Sequence, residues 1–495
     1  MFESAELGHT VSRALYRREA PKLREALLEA QSDLLEAKKF STLILIGGVD
    51  GAGKGETVNV LNEWMDPRHI HTHAHGTPTD EELARPSAWR FWRTLPPKGK
   101  IGIFFGSWYT PPIVRRAYGR TRNAELDQSL EEIVRFEQML RDEGVLLIKF
   151  WFHLSKAQQK KRLRALSKDK HTRWRVTDQD WKHFEIYDEF RAVSERALRR
   201  TSTGVAPWHV VEGLDARYRS LTSGKVVLHT LRARLDAPKT APTATTGVVK
   251  EMRDTTNLLA ALDLSQKTPK RSYERKLEEL QGELALLTRS PKFRDAGVVA
   301  VFEGVDAAGK GGAIRRITTA LDARHYRVHP VAAPSDEERA HPYLWRFWRN
   351  VPPKGQIAIF DRSWYGRVLV ERVENYCSVD DWSRAFAEIN DFEEQMSDHG
   401  LVVVKFWLQV DPQEQLRRFR EREATGFKRF KITEDDWRNR KKSKAYEVAT
   451  CAMLDRTSTE LAPWTLVPAN DKYSARLLVL ETLTKRLESR LRRKR

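Results

Sequence analysis

Cysteine is scarce in this 495-residue chain, which contains only Cys377 and Cys451. Two thiols cannot form a disulfide framework, and they cannot supply a zinc site with four thiolate ligands. The chain also lacks an apolar run of about 18 residues, which a transmembrane helix would require. Its first residues lack the apolar core of a signal peptide. These absences predict a soluble, cytoplasmic protein that is not embedded in a membrane.

Acidic residues are outnumbered by basic ones. The sequence has 68 Asp and Glu residues against 87 Lys and Arg residues, which gives a net charge of +19. A basic excess of this size points to an anionic partner. Composition alone leaves open whether that partner is nucleic acid, a membrane surface or a phosphate-rich substrate.

The chain is a tandem duplication with an offset of 256 residues. GVDGAGKGE at Gly48–Glu56 and GVDAAGKGG at Gly304–Gly312 share seven of nine residues. Between the copies, the stretch Ala237–Thr246 is rich in Pro, Ala and Thr and lacks large apolar residues, as linkers often do. We therefore predict a first domain over 1–236, a linker over 237–260 and a second domain over 261–495.

Each copy alternates short apolar runs with helical stretches. The runs STLILIGG and GVVAVFEG precede the two glycine loops, which is the pattern of a buried parallel strand. Four or five such runs in each copy predict an α/β domain with a central parallel sheet flanked by helices.

The glycine loops match the phosphate-binding pattern G-x-x-x-x-G-K. In such a loop, backbone N–H groups and the lysine hold a polyphosphate at the start of a helix. The predicted phosphate-binding residues of the second loop are Gly304, Gly309, Lys310 and Gly311. The first loop offers Asp50, Gly53 and Lys54.

One departure from the pattern concerns the metal. The residue after the lysine is normally Ser or Thr, which binds Mg²⁺, but here it is Gly55 or Gly311. An aspartate lies inside each loop instead, at Asp50 or Asp306. We interpret this aspartate as the displaced metal ligand. The alternative is that it caps the loop backbone or the helix N-terminus.

A second motif is the strand end IAIFDRSWYGR at Ile357–Arg367. Asp361 lies where a P-loop enzyme places its second acidic metal residue, and Arg362 and Arg367 follow it. These arginines fit a phosphate clamp, and surface ion pairing is the alternative. The first copy has Phe105, Gly106 and Pro111 at the matching positions, but it keeps the Ser-Trp-Tyr sequence. The second copy is therefore predicted to be active and the first to be degenerate.

The basic segment Gln413–Lys444 precedes the last strand and carries a net charge of +6. Its helical pattern, with a hinge predicted at Ala424–Gly426, fits a mobile lid that closes over phosphates. The first-copy counterpart Ala157–Asp188 carries +4, and the C-terminal Lys485–Arg495 carries +6. The alternative for any single cation is a solvated surface charge. The candidates for polyphosphate contact are Arg417, Arg418, Lys428, Arg429 and Arg438.

Taken together, the GVDAAGKGG loop, the DRSWYGR strand end, the WRFWRNVPPKG segment and the closing LAPWTLVPANDK resemble one family. This is the second polyphosphate kinase family, in its fused two-domain form. The resemblance implies two tandem P-loop kinase-like domains, each a parallel sheet flanked by helices with a helical lid. It also implies phosphoryl transfer from inorganic polyphosphate to AMP, giving ADP, with Mg²⁺ as cofactor.

By the same resemblance, Asp306, Lys310, Asp361 and Arg362 fall in the catalytic centre. From the loop and strand-end motifs we assign Asp306 and Asp361 to Mg²⁺. Two other function classes stay open at this point. An NTP-dependent nucleotide kinase or ATPase could use the same loop, although the missing Ser or Thr counts against it. A nucleic-acid-binding protein is suggested by charge alone and is not expected, because no recognised binding motif supports it. Self-association of the duplicated chain is also left open.

Overall fold

The structure is a computed structural model that describes residues 1–237 and 258–492. Most of the predicted linker over 237–260 therefore lies outside the described residues. The side chain of Lys428 also lies outside this description. None of the helices in the described ranges combines the length and the apolar character needed to cross a membrane.

Each copy forms a five-stranded parallel sheet, as predicted. The strands of the first copy are β1 (Ser41–Gly48), β2 (Ile70–Ala74), β3 (Ile101–Phe105), β4 (Val145–His153) and β5 (Trp208–Glu212), in the order β2-β3-β1-β4-β5. The strands of the second copy are β6 (Gly297–Gly304), β7 (Tyr326–Pro330), β8 (Ile357–Asp361), β9 (Leu401–Gln409) and β10 (Trp464–Pro468). They run in the equivalent order β7-β8-β6-β9-β10.

Helices cover these sheets. Those of the first half are α1 (Arg13–Ala37), α2 (Lys54–Trp64), α3 (Asp80–Leu83), α4 (Trp89–Arg93), α5 (Thr110–Ala117), α6 (Asn123–Asp142), α7 (Lys156–Lys168), α8 (Asp178–Glu185), α9 (Tyr187–Thr201) and α10 (Ala216–Leu235). Those of the second half are α11 (Lys270–Arg289), α12 (Lys310–Ala320), α13 (Asp336–Arg339), α14 (Trp345–Trp348), α15 (Val370–Val373), α16 (Val379–His399), α17 (Pro412–Ala424), α18 (Glu434–Lys441), α19 (Ser443–Thr457) and α20 (Lys472–Arg492). Short 3-10 helices include Trp364–Arg367 after β8 and Gly426–Lys431 between α17 and α18.

The chain divides into two compact units. Unit 1 consists of the described residues within Met1–Pro78, Arg90–Ala241 and Ser335–Trp345, and unit 2 takes in Thr79–Trp89 and the rest of the second half. Each unit thus includes a short helical segment from the other half of the sequence. Within unit 1, Lys98 N donates to Ala340 O at 2.8 Å, and within unit 2, Lys354 N donates to Ala84 O at 2.9 Å. The contiguous domain ranges 1–236 and 261–495 stay a prediction.

The core of each unit lies between the central strand and the helices on the sheet. β1 and β6 are buried along almost their whole length, which explains their uninterrupted apolar sequences. On the sheet of unit 1, Leu27 of α1 and Leu231 of α10 belong to one buried cluster with Ile44. In unit 2, Leu284 of α11 and Leu483 of α20 belong to the matching cluster.

The strand order places a crevice at the carboxyl ends of β6 and β8. These strands are neighbours, but the chain leaves β6 towards β7 and leaves β8 towards β9, in opposite directions across the sheet. Right-handed crossovers then put the two connecting helices on opposite faces, and a ligand site opens between them. The glycine loop and the Asp-Arg pair both begin at this crevice.

Candidate active site

The phosphate-binding loop of unit 2 connects β6 to α12, and its glycines are required by its backbone. Gly304 has φ +143°, and a Cβ there would lie 2.3 Å from the carbonyl oxygen of Leu408. Gly309 has φ +108° and precedes α12 directly. Gly311 is different, because a Cβ there would meet no atom within 4 Å. The structure therefore gives no steric reason for glycine in place of the usual Ser or Thr.

Lys310 lies inside the loop, where its Nζ donates to Gly304 O at 2.8 Å. Burial lowers the pKa of Lys310, and the Asp306, Asp361 and Glu303 carboxylates oppose that shift. The acidic side chains of both strand ends therefore act electrostatically on the Lys310 ammonium group. A helix N-terminus adds unpaired N–H groups on the same side, which suits phosphate oxygens.

Asp306 joins four parts of unit 2. Its Oδ1 accepts from Arg362 Nη2 at 2.9 Å, and its Oδ2 accepts from Asn439 Nδ2 at 2.9 Å. Its backbone oxygen accepts from Gln415 Nε2 at 3.2 Å. The loop, the end of β8 and helices α17 and α18 thus meet at one residue. The sequence analysis did not identify Asn439 as a site residue. Its position within the basic segment Gln413–Lys444 could have suggested that it lies near the site.

Arg362 has an unusual backbone. Its φ of +64° lies in the left-handed region, which costs free energy in a residue that has a Cβ. Burial acts to lower its pKa, but the surrounding carboxylates of Asp306, Glu303 and Asp361 outweigh this and raise it. Strain of this kind persists where the surroundings impose it, and it is common at functional sites.

Glu303, the residue before Gly304, was also missed. It is 5% exposed, and its Oε1 accepts from Ser363 Oγ at 2.8 Å. Burial raises the pKa of this carboxyl group, although Ser363, Lys310 and Arg362 oppose the shift. The sequence could have pointed to Glu303, because the first copy has Gly47 at the matching position, just as it lacks the other charged residues of the site.

Of the arginines predicted to bind phosphate, Arg418 is bonded entirely to protein. Its guanidinium donates to Ala307 O at 3.0 Å, to Ala469 O at 2.7 Å and, through Nε, to Glu414 at 2.6 Å. It is 4% exposed. Arg418 therefore fastens the phosphate-binding loop to the end of β10 and to α17.

The other predicted clamps are more exposed. Arg417 pairs with Glu414 at 2.7 Å, and Arg438 pairs with Asp435 at 2.9 Å. Arg429 Nε donates to Glu423 O at 3.1 Å. Arg367 pairs with Glu371 at 2.8 Å beside the 3-10 helix after β8. Phosphate binding by these four residues stays a prediction.

The basic segment is fixed to the site at a second point. Glu374, 5% exposed, accepts from Lys442 Nζ at 2.8 Å just after α18. Tyr446 of α19 donates to Asn439 Oδ1 at 3.1 Å. The segment is helical, as expected of a lid, and α17 ends at Ala424 as the hinge prediction required. Its mobility stays a prediction.

Unit 1 keeps the loop but lacks most of the charged groups. Asp50 accepts from Lys54 Nζ at 3.1 Å and contacts His183 Nδ1 at 2.7 Å. Burial acts to raise the pKa of Asp50, but Lys54 and His183 outweigh it and hold that pKa well below its usual value. The hydrogen bond to Asp50 in turn raises the pKa of His183. Phe105 and Gly106 stand at the end of β3, so this loop has no second aspartate beside it.

The Ser-Trp-Tyr sequence shared by both copies has a structural role. In unit 2, Trp364 Nε1, Tyr365 Oη and Lys405 Nζ all donate to the buried Glu393, at 3.0, 2.7 and 2.7 Å. Unit 1 repeats these distances with Trp108, Tyr109 and Lys149 around Glu137. The network holds the strand end in place in both units, which is why these residues recur where the charged ones do not.

A phosphate-binding loop after the central strand, an Asp-Arg pair on the neighbouring strand and a basic helical segment across both define a P-loop kinase-like site for handling phosphates. The family model for polyphosphate kinase 2 matches residues 10–239 and 267–495. The chain therefore belongs to the polyphosphate kinase 2 family, in a form with two copies of the family's domain.

Individual proteins agree with this assignment. The chain is 56% identical over 492 residues to the polyphosphate:AMP phosphotransferase of Pseudomonas aeruginosa, covering 99% of each chain. It is 36% identical over 469 residues to the polyphosphate:AMP phosphotransferase of Acinetobacter johnsonii, covering 94% of this chain and 95% of that one. A crystal structure of a putative polyphosphate kinase 2 from Pseudomonas aeruginosa matches with a TM-score of 0.91 at 54% identity, covering 100% of both chains. The predicted family and fold are confirmed.

Proposed function

We propose that this chain transfers the terminal phosphoryl group of inorganic polyphosphate to AMP, giving ADP, and that unit 2 carries the reaction. The names of the full-length relatives support the two substrates. The observation that carries the choice of unit is the convergence of Lys310, Asp306 and Arg362 at one crevice. The matching crevice of unit 1 has glycine and phenylalanine at the strand end.

The reaction depends on positioning the donor and acceptor phosphates more than on a general base. The phosphate of a nucleotide has a second pKa near 6, so the acceptor is already ionised at neutral pH. The obstacle is to bring two polyanions together and to stabilise charge on the transferring group. In this proposal Lys310 and the loop N–H groups hold phosphate oxygens, while Arg362 and Arg367 clamp the phosphates from the opposite strand end.

Mg²⁺ fits the donor set of unit 2. Among the described residues there is no cluster of three or more His, Cys, Asp or Glu side chains that could hold a metal ion. Mg²⁺ does not need one, because it commonly binds one or two carboxylates and completes its shell with waters and phosphates. Asp306 and Asp361 would hold it, and the ion would offset the negative charge between donor and acceptor. Arg362 and Asn439 each donate to one oxygen of the Asp306 carboxylate and so fix its position at the loop.

The proposal is tested by ADP formation from AMP and Mg²⁺ with either polyphosphate or ATP as donor. Polyphosphate should support turnover, whereas an NTP-dependent kinase would use ATP alone. A matched pair of variants then identifies the active unit. We expect Asp361→Asn to lower kcat by at least about 100-fold, since it removes transition-state electrostatics, whereas Asp50→Asn should leave kcat within about twofold of the parent. Loss of activity in Asp50→Asn together with normal activity in Asp361→Asn would reverse the assignment.

A further inference from the structure

Unit 1 contains a cavity of about 380 Å³ where unit 2 has its candidate active site. This volume lies within the range of roughly 300–1,000 Å³ that is usual for small-molecule sites. The Gly48–Lys54 loop forms one end of the cavity, and α5 and the α8–α9 region contribute to its walls. Seven Phe, Tyr and Trp side chains line it, namely Phe105, Tyr109, Tyr118, Trp151, Tyr187, Phe190 and Trp208.

The cavity exists because charged side chains are replaced. At matching positions, unit 2 has Glu303, Asp361, Arg362, Glu374 and Lys442. Unit 1 has Gly47, Phe105, Gly106, Tyr118 and Ile186. Two of these changes remove a side chain altogether, and the other three put apolar or aromatic surface in place of charge. The result is space beside the loop with walls that suit a ring rather than a chain of phosphates.

The loop itself keeps its phosphate-binding geometry. Gly48, Gly51 and Gly53 have φ values of +137°, +77° and +83°, against +143°, +63° and +108° at the counterparts in unit 2. Lys54 Nζ donates to Gly48 O at 2.7 Å, as Lys310 does to its own loop at 2.8 Å. The anion-binding end of the site is therefore preserved while its surroundings are not.

The charged side chains at the Gly48–Lys54 end of the cavity favour the binding of an anion that brings no metal ion with it. Asp50 is already contacted by Lys54 and His183, so two basic side chains surround one carboxylate. The second metal-binding aspartate of unit 2 is replaced by Phe105. A phosphate group at the loop would meet the surplus of positive charge directly.

Two buried polar atoms among the lining residues lack partners. Trp151 Nε1 and Gln159 Oε1 find no hydrogen-bond partner in the described part of the chain. The matching atoms in unit 2 are satisfied, because Trp407 donates to Gln409 at 2.9 Å and Arg440 donates to Gln415 at 2.9 Å. Buried polar atoms seldom stay unpaired, so these two point to a ligand that carries both acceptors and donors.

We propose that the cavity of unit 1 binds a nucleoside monophosphate, with its base between the aromatic walls and its phosphate at the Gly48–Lys54 loop. Bases stack on aromatic side chains and carry donors and acceptors on their edges. A polyphosphate would instead lose hydration against apolar walls without compensation. The class of ligand rests on the cavity, and the choice of AMP as its representative rests on the proposed function.

The test counts AMP molecules bound per chain by equilibrium dialysis of the full-length protein, with no phosphoryl donor present. Val114→Trp fills the cavity from α5, and Ile186→Trp fills it from the α8–α9 region. Both variants should bind one AMP at saturation where the parent binds two. Val205→Trp is the matched control, because it adds the same ring at a side chain that is 52% exposed, and it should still bind two.

Photolabelling of the parent protein with 2-azido-AMP makes the test independent of how the variants fold. Peptides that contain Tyr118 or Trp208 should be labelled, and excess AMP should suppress that labelling. Labelling confined to unit 2 would overturn the proposal, and so would an unchanged count of two in both cavity variants. ADP formation is measured separately, so a chain that binds a second AMP but fails to use polyphosphate would contradict the proposed function alone.

Discussion

The left-handed backbone at Arg362 leads to a prediction in which the usual order of two substitutions is reversed. Arg362 has φ +64°, and its counterpart Gly106 has φ +78°. The corner after the strand therefore has the same conformation in both units, but only unit 2 places a side chain on it. We expect Arg362→Gly to be more stable than Arg362→Ala.

The magnitude follows from terms that differ between the two variants. Both lose the ion pair to Asp306, which is 2.9 Å long, and both lose the same charge, so these losses cancel in the comparison. Alanine retains the left-handed strain of roughly 1–2 kcal/mol, whereas glycine does not. Glycine in turn lowers the stability by about 0.5–1 kcal/mol, because it raises the conformational entropy of the unfolded chain. The free energy of unfolding of the glycine variant should therefore exceed that of the alanine variant by about 1 kcal/mol.

Differential scanning calorimetry measures this difference. For a unit of this size, about 1 kcal/mol corresponds to a shift of about 2–4 °C in Tm. Phosphoryl transfer from polyphosphate to AMP should fall equally in both variants, by about 100-fold or more, because both lack the guanidinium. An alanine variant that melts at or above the glycine variant would show that the backbone at this corner relaxes once the arginine is removed.

The reverse substitution in unit 1 is the control. Gly106→Ala should be destabilising, because it adds left-handed strain and would place a Cβ 2.8 Å from His75 O. The loss should exceed the difference of about 1 kcal/mol expected in unit 2, since steric contact adds to strain. A neutral Gly106→Ala would contradict the geometry on which both predictions depend.

Three further predictions concern the other contacts of the two sites. Lys405→Met and Lys149→Met each leave a buried carboxylate unpaired, which costs about 3–5 kcal/mol, so both should lower the Tm of their unit by about 6–20 °C in calorimetry. His183→Asn should flatten the pH dependence of stability in unit 1. The raised pKa of His183 stabilises the folded state below the ordinary value near 6.5, and this stabilisation is lost as pH rises through the folded-state pKa, so parent and variant should converge in melts near pH 8. Asn439→Ala removes a hydrogen bond to Asp306 and should lower kcat/KM for AMP by about tenfold.

The strands could be predicted from the sequence because their information is local. Ser41–Gly48 and Gly297–Gly304 form strands with the bounds of their apolar runs, and each copy has five strands where the sequence predicted four or five. The repeat offset then fixed the equivalence of the two loops. The exchange of short segments between the units, however, depends on contacts that sequence periodicity does not report.

The partners of individual arginines could not be predicted, because they depend on tertiary structure. Arg418 was expected to meet phosphate, yet its guanidinium donates to Ala307 O and Ala469 O. In unit 1 a different helix supplies the arginine beside the loop: the guanidinium of Arg219 of α10 lies where a Cβ on Gly53 would be, and it donates to Gly213 O at 2.7 Å. Position within a basic helix shows that an arginine is near the site, but it does not show whether backbone oxygens or phosphates receive its hydrogen bonds.

The buried network around Glu393 explains why shared motifs are a poor guide to which unit is active. A buried ion pair adds little net stability, but removing one partner is costly because the other charge is left unpaired in the core. Lys405 and Glu393, and likewise Lys149 and Glu137, are therefore retained together whether or not the unit performs chemistry. Charges that face a crevice are under no such constraint, since water can solvate what remains. The first copy has Phe105 and Gly106 in place of Asp361 and Arg362. This replacement supports a change of function. The retained Ser-Trp-Tyr sequence is weaker support for a preserved function, because the buried network alone explains it.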